Sequence, residues 1–211
     1  MRLVLVRHGE AHAGFDGLVA GHTACAGLTE HGRRQAEALR DHLATSGRVD
    51  ADVLLSSELR RACETAEIIA PGLGLTSFAR HCDLCELHTG IADGLEWSEH
   101  AARFGSFDME AEPERAFAPE GESWNGFHGR VRSMLERVAR EHEGRTVVAA
   151  CHAGVIQASL RVLLGAQGGG GARVQPTNTG LTEWEHDPAR DRWTLHSFNE
   201  TTHLLGLERV P

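Results

Sequence analysis

The sequence predicts a three-layer α/β/α fold around a mostly parallel central sheet. Three observations carry this. Short, nearly all-apolar runs recur at Leu3 to Val6, Asp52 to Ser56 and Thr146 to Cys151. Helical stretches with apolar residues spaced near 3.6 alternate with them. Strands without a polar face need cover on both sides, which flanking helices supply. A smaller irregular and helical insertion, about 80–123, is expected to cover the site as a lid. The 211 residues thus read as one domain.

Leu3 to Val6 ends at charged residues, as a buried strand does. Thr29 is a helix cap, and the helix runs through Arg33, Ala36, Leu39 and Leu43 to a glycine stop at Gly47. After the second strand, Ser57 is expected to cap a helix whose apolar face is Leu59, Ala62, Ala66 and Ile69; Pro71 ends it. From Arg80 to Ser123 the chain reads as a strand and a long excursion with one or two short helices. Phe127 to Glu141 returns to helical spacing. Thr146 to Cys151 is a buried strand, followed by a helix with Val155, Ile156, Leu160 and Leu163. The Gly168 to Gly171 run reads as a surface loop. Two last strands, Gly180 to His186 and Arg192 to Phe198, flank an Asp187-Pro188 turn.

Bulk properties narrow the partners. Net charge is −9, which argues against nucleic acid, since phosphate neutralisation needs clustered Lys and Arg. A few converging arginines can still make one positive cleft. No apolar run reaches the ~20 residues of a bilayer span, so no membrane partner is expected. The N-terminus reads as a strand rather than a signal peptide, and a cytoplasmic location follows as an expectation. Five cysteines read as free thiols. Oligomeric state stays open, a homodimer included.

In parallel α/β sheets, ligands bind beyond the carboxyl ends of the strands. The segments there are Arg7-His8-Gly9-Glu10, Ser57 to Arg61, and His152-Ala153-Gly154. They bring two histidines and several arginines to one place. Phosphoryl transfer needs this inventory, because the transferring group spreads negative charge over three oxygens. Guanidinium groups clamp such oxygens bidentately. A neutral imidazole is a competent nucleophile near pH 7. The amides of Ala153 and Gly154 open a helix and can donate to an oxyanion.

Arg7-His8-Gly9-Glu10 after an N-terminal strand resembles the signature of the histidine phosphatase superfamily, the phosphoglycerate-mutase-like proteins. The resemblance continues through Gly21 and Leu28 to Ala36, Ser56 to Ala66, Leu84-Cys85-Glu86, Pro119 to Ser123, Val147 to Gly154 and Phe198 to Leu204. It covers essentially the whole chain. It implies that His8 attacks phosphorus and becomes phosphohistidine. Arg7, Arg61 and His152, with the Ala153 amide, would hold the phosphoryl oxygens. Glu86 would protonate the leaving alcohol, a role suited to a partly buried carboxyl with a raised pKa. No metal or organic cofactor is implied. The expected activity is hydrolysis of a small phosphorylated metabolite.

Some positions depart from the family pattern. Ala153 stands where glycine usually follows the second histidine, Gly14 where many mutases have asparagine, Cys151 for a serine and Glu120 for a glycine. These departures bear on substrate contacts more than on the core chemistry. Two alternatives follow: a phosphoglycerate-mutase-type phosphotransferase, and a weakly catalytic module that binds a phospholigand. The stretch between Glu86 and Glu122 is short for a mutase lid, which favours hydrolysis.

Other residues have plainer readings beside functional ones. Glu10, His22 and Asn178 are candidate substrate contacts. Glu10 could equally brace the first loop, His22 be one exposed histidine among fourteen, and Asn178 serve a turn. Arg60 reads as a solvated helix residue. Trp97, Phe104 and Phe107 read as substrate contacts or a satellite core. His81, Cys82, Cys85 and His88 have metal-ligand spacing. Without a second Cys pair, and with Glu86 needed as the acid, structural zinc is the lesser reading there.

Overall fold

A computed structural model describes residues 1–14, 17–165 and 174–207. The Gly168 to Gly171 run therefore lies outside the described residues. Six strands form one sheet: β1 Arg2–Arg7, β2 Val53–Ser56, β3 Ala79–Arg80, β4 Thr146–Cys151, β5 Leu181–Asp187 and β6 Arg192–Glu200. Their order is β3-β2-β4-β1-β5-β6. β3, β2, β4 and β1 run parallel; the hairpin β5–β6 is antiparallel. The mostly parallel α/β expectation holds.

The period-2 alternation of the strands builds the layers. Leu3 and Leu5 of β1, with Val147, Ala149 and Cys151 of β4, face one core. α4 (Trp124–Glu141) and α5 (Ala153–Leu164) cover it, through Phe127, Val131, Met134, Leu135, Val155 and Ile156. Val4, Val6, Val148 and Ala150 face the opposite core. α1 (Glu30–Ser46) and α2 (Arg60–Ile69) cover that side with Ala36, Leu39, Leu43, Ala66 and Ile69. Both faces of β1 and β4 are sealed, which is why these strands carry no polar stripe.

Local signals explain most boundaries. Thr29 Oγ1 accepts the Gly32 amide at 3.0 Å, and Gly47 closes α1 in the left-handed conformation. Ser123 caps α4 by accepting the Gly126 amide at 3.1 Å, so that helix starts three residues before the periodic Phe127. One expectation needs correction. Ser57 is not the N-cap of α2; Leu59 is. The Ser57 hydroxyl is buried and accepts the Leu59 amide one turn earlier, at 3.1 Å. α1 does run through Arg33, as expected, although that residue lies off its buried face. Arg33 is exposed and pairs with Glu64 at 3.0 Å, while Gly32 and Gln35 are buried instead.

The excursion after β3 contains one α-helix, α3 (Trp97–Phe104), and 3-10 turns at Cys82–Leu84 and Gly90–Ala92. Phe104 packs against a satellite core of Val19, Ala92, Phe117 and Ala118; Trp97 remains half exposed. The loop after β1 is fastened to this excursion. The Asp93 carboxylate accepts the amides of Gly21, Thr23 and Ala24 at 2.8, 2.7 and 3.2 Å, and the Thr23 hydroxyl at 2.7 Å.

The first turn of α1 meets the loop after β1 with almost no clearance. A Cβ on Gly32 would lie 1.9 Å from the Glu10 carbonyl oxygen. Alanine is otherwise the better helix former by about 1 kcal/mol. Gly32→Ala is nevertheless expected to destabilise the protein by about 2–3 kcal/mol, as overpacking against backbone does. Urea unfolding of both proteins checks the sign.

Candidate active site

The site grows from one register. β1 and β4 pair in parallel with Arg7 opposite Cys151. The next residue on each strand is a histidine. The His8 amide donates to the Cys151 carbonyl at 2.9 Å, extending the ladder by one bond. The two imidazole centroids consequently lie 5.1 Å apart, with ring planes at 59°. Both rings are buried.

His8 is held from several sides. Its Nδ1 lies 2.7 Å from the Gly9 carbonyl, which can only accept, so Nδ1 carries the proton. Nε2 therefore presents its lone pair. Arg61 Nε donates to that nitrogen at 3.2 Å. Asn178 Nδ2 donates to the His8 carbonyl at 2.9 Å, and the Gly9 amide donates to Thr65 Oγ1 at 3.1 Å. Asn178 thus meets the backbone of His8, a bracing contact rather than an identified ligand contact.

Arg61 sits in the first turn of α2, buried, with Nη1 also 3.4 Å from the Ala20 carbonyl and 3.2 Å from Cys25 Sγ. Arg7 Nη1 donates to the Pro176 carbonyl at 2.6 Å, while its Nε is buried without a partner among the described residues. The same turn holds the end of β1, because the Thr179 amide donates to the Arg7 carbonyl at 2.8 Å. Burial lowers the Arg7 pKa; Glu86 opposes this and Arg61 adds to it.

His152 ends β4 as the N-cap residue of α5. Its Nε2 is 2.8 Å from Ser57 Oγ, which is also 3.3 Å from Cys85 Sγ. Its Nδ1 is buried without a partner among the described residues. Glu86 lies against the same helix start. Its Oε2 accepts the Gly154 amide at 3.0 Å. The Gly154 amide, an oxyanion-donor candidate in the sequence, is thus engaged by the carboxylate in this structure, while Ala153 takes the first position of α5.

Other residues named in the sequence have contacts of their own. Glu10 Oε1 accepts the Thr29 hydroxyl at 2.9 Å, bracing the entry to α1. His22 is exposed beside Cys82 and His88. Arg60 is exposed and paired with Glu64 at 2.7 Å. Gly14 closes a 3-10 turn, His12–Gly14.

Arg130 on α4 was not singled out by the sequence reading. Its guanidinium donates to the carbonyls of Cys82, Asp83, Cys85 and Glu86 at 2.9–3.3 Å, and to both oxygens of Glu122 at 2.7 Å. This clamp shapes the segment that carries Glu86. Burial lowers the Arg130 pKa, but the Glu122 carboxylate outweighs it and the net shift is upward. The signal was present: Arg130 lies three residues from Phe127 and beside Val131, so a charge sits at the edge of the apolar face.

Burial holds the His8 pKa well below the ordinary 6.5; Arg61 and Arg7 push it the same way, against the Gly9 hydrogen bond. Burial also lowers His152, followed by Arg61 and His8. Both rings are therefore neutral at pH 7, as a nucleophile must be.

A family model described as histidine phosphatase superfamily (branch 1) matches residues 3–201. The metal-independent phosphoserine phosphatase of Arabidopsis thaliana is 29% identical over 210 residues, covering 97% of this chain and 84% of that protein. Phosphoglycerate mutase-like protein 4 of the same plant is 28% identical over 219 residues, covering 96% and 86%. A solved phosphoserine phosphatase from Entamoeba histolytica, a histidine-to-alanine mutant in complex with phosphoserine, superposes with a TM-score of 0.76 at 25% identity. That match covers 96% of this chain and 98% of the other.

Two outcomes are expected from this geometry. A Cβ on Gly154 would lie 2.1 Å from Glu86 Oε1, the movable end of a side chain. Gly154→Ala should displace the carboxylate, lowering kcat by about 100-fold if Glu86 is the proton donor, with little change in stability. Steady-state kinetics and thermal melting separate the two effects. The second concerns pH. Between the lowered native values and 6.5, the unfolded chain binds more protons at His8 and His152 than the native one. Their contribution is complete above pH 6.5 and declines as pH falls below it. Urea unfolding at about pH 7.5 and about pH 5 should show the wild type losing more stability than a His8→Gln/His152→Gln variant.

Proposed function

This chain belongs to the histidine phosphatase superfamily, and we propose that it hydrolyses a small phosphorylated metabolite through a phosphohistidine at His8. One observation carries the assignment of roles. The Gly9 carbonyl fixes the proton of His8 on Nδ1, which leaves the Nε2 lone pair beside Arg61 and His152 in a buried, cationic pocket.

The roles follow from the contacts. An arriving phosphate monoester takes the Arg61 guanidinium onto its oxygens, and His8 Nε2 is released from that hydrogen bond to attack phosphorus. Arg7 Nε and His152 Nδ1, buried nitrogens of the site without partners among the described residues, supply further donors. With the ring proton on Nδ1, His152 donates from that nitrogen to a phosphoryl oxygen while its Nε2 stays paired with the Ser57 hydroxyl. The Ala153 amide adds a donor at the start of α5. As the N–P bond forms, the P–O bond to the alcohol breaks and Glu86 gives its proton to the departing oxygen. In the second half, Glu86 takes a proton from water, the hydroxide oxygen bonds to phosphorus, and the N–P bond breaks. Inorganic phosphate and the starting enzyme result. Each step places charge on oxygens already faced by cations, which is where the catalytic gain lies.

Hydrolysis is preferred to transfer because the excursion between Glu86 and Glu122 carries only the short helix α3 as its α-helix. No helix among the described residues is long and apolar enough to cross a membrane. The five cysteines are free thiols, which suits a reducing compartment such as the cytoplasm.

A panel of phosphomonoesters that includes phosphoserine and 3-phosphoglycerate tests the proposal. Phosphate release from at least one is expected, and His8→Ala should lower it by about 10³-fold or more. Rapid quenching should trap acid-labile, base-stable phosphate on the wild type alone. Turnover by His8→Ala at the wild-type rate would reject the role of His8. Conversion of 3-phosphoglycerate to its isomer faster than phosphate release would replace the hydrolase by a mutase.

A further inference from the structure

We propose that His22, Cys82, Cys85 and His88 form a binding site for zinc or a similar borderline-soft divalent cation, separate from the phosphate pocket. The two Sγ atoms and one ring nitrogen from each histidine all lie within 4.8 Å of one another. Cys82 Sγ is 3.3 Å from His88 Nε2 and 3.8 Å from His22 Nε2. Zn–S and Zn–N bonds of about 2.3 and 2.0 Å give tetrahedral edges of about 3.3–3.8 Å. The widest pair therefore needs to close by about 1 Å. Two sulfurs and two imidazoles are a ligand set that selects zinc over magnesium or calcium.

The group differs from the one the sequence suggested. His81 is not part of it; His22, about 60 residues earlier in the chain, takes that place. Cys82 and Cys85 are separated by the turn that Arg130 clamps through the carbonyls of Cys82, Asp83 and Cys85. The thiols are thus presented by an ordered backbone. Supporting contacts also match a metal centre. His88 turns Nε2 to the sulfur and Nδ1 toward Glu122, 3.8 Å away, the carboxylate–histidine arrangement that orients a ligating ring. Cys85 Sγ has the Ser57 hydroxyl at 3.3 Å.

On binding, the two thiols lose their protons to solvent and four coordinate bonds form, with no change of oxidation state. The consequence for the fold is a cross-link. His22 lies in the loop after β1, and the other three ligands flank Glu86 on either side. An ion here would tie that loop to the segment bearing the acid, a few residues from where Asp93 already fastens it.

Cobalt(II) is the probe. Reduced full-length protein, with five free thiols confirmed by titration in denaturant, should bind one Co²⁺ per chain. The complex should show thiolate-to-cobalt charge transfer in the near ultraviolet and the intense visible bands of tetrahedral cobalt. Zinc should displace them and raise the Tm. Cys82→Ser should abolish the charge-transfer band. His22→Ala, at an exposed position, should weaken binding by at least about 10-fold. His81→Ala should bind as the wild type does. Absence of the bands in reduced protein would overturn the proposal. So would wild-type affinity in His22→Ala, or loss of binding in His81→Ala. Isolation of a Cys82–Cys85 disulfide that persists under mild reductant would likewise replace the metal site by a redox pair.

Discussion

The parallel pairing of β1 with β4 is the constraint on which the site rests. Arg7 stands opposite Cys151, and the ladder runs one bond further to the His8 amide. A register shift of one residue would turn every side chain of β1 to the other face. Leu3 and Leu5 would then exchange cores with Val4 and Val6, and His8 would leave its partner. The apolar packing on both faces of the sheet thus sets the distance between two imidazoles at its edge. The chemistry inherits its geometry from hydrophobic burial.

The pocket assembled there is electrostatically unbalanced. Two guanidinium groups and two neutral imidazoles converge, and Glu86 is the carboxylate that Arg7 senses. Burying like charges is costly unless an anion joins them. The protein meets part of that cost with carbonyl acceptors: Pro176 for Arg7, Ala20 for Arg61. Arg7 Nε and His152 Nδ1 are left for a ligand. A phosphoryl group supplies the missing negative charge and several acceptor oxygens at once. On the proposed roles, the unbalanced pocket would favour such a group over a neutral one.

Much of this was legible in the sequence, for physical reasons. Nearly unbroken apolar strands announced a sheet covered on both faces, and the strand-end rule pointed to the segments Arg7 to Glu10, Ser57 to Arg61 and His152 to Gly154; the family resemblance then singled out Arg61 within the second. Thr29 and Gly47 marked α1 because their capping chemistry is local. Side-chain partnerships across the fold were not legible. Ser57 has the composition of a helix cap, yet tertiary contacts draw its hydroxyl between His152 and Cys85. Gly154 reads as a donor to phosphate, yet its lack of a side chain makes room for Glu86. The Cys-x-x-Cys segment pointed to His81 by proximity in sequence, whereas the β1 loop delivers His22 in space. The place of Arg130 at the edge of an apolar helix face is a local signal, but its carbonyl partners lie more than forty residues away in the chain, and local spacing does not name them.

A crystal structure with orthovanadate tests the arrangement most directly, because vanadate accepts a fifth ligand as phosphorus does during transfer. Vanadium is expected at bonding distance from Nε2 of His8, with its equatorial oxygens held by both arginines, His152 and the amide of Ala153. Vanadate bound through another side chain, or lodged away from the paired strand ends, would contradict the account.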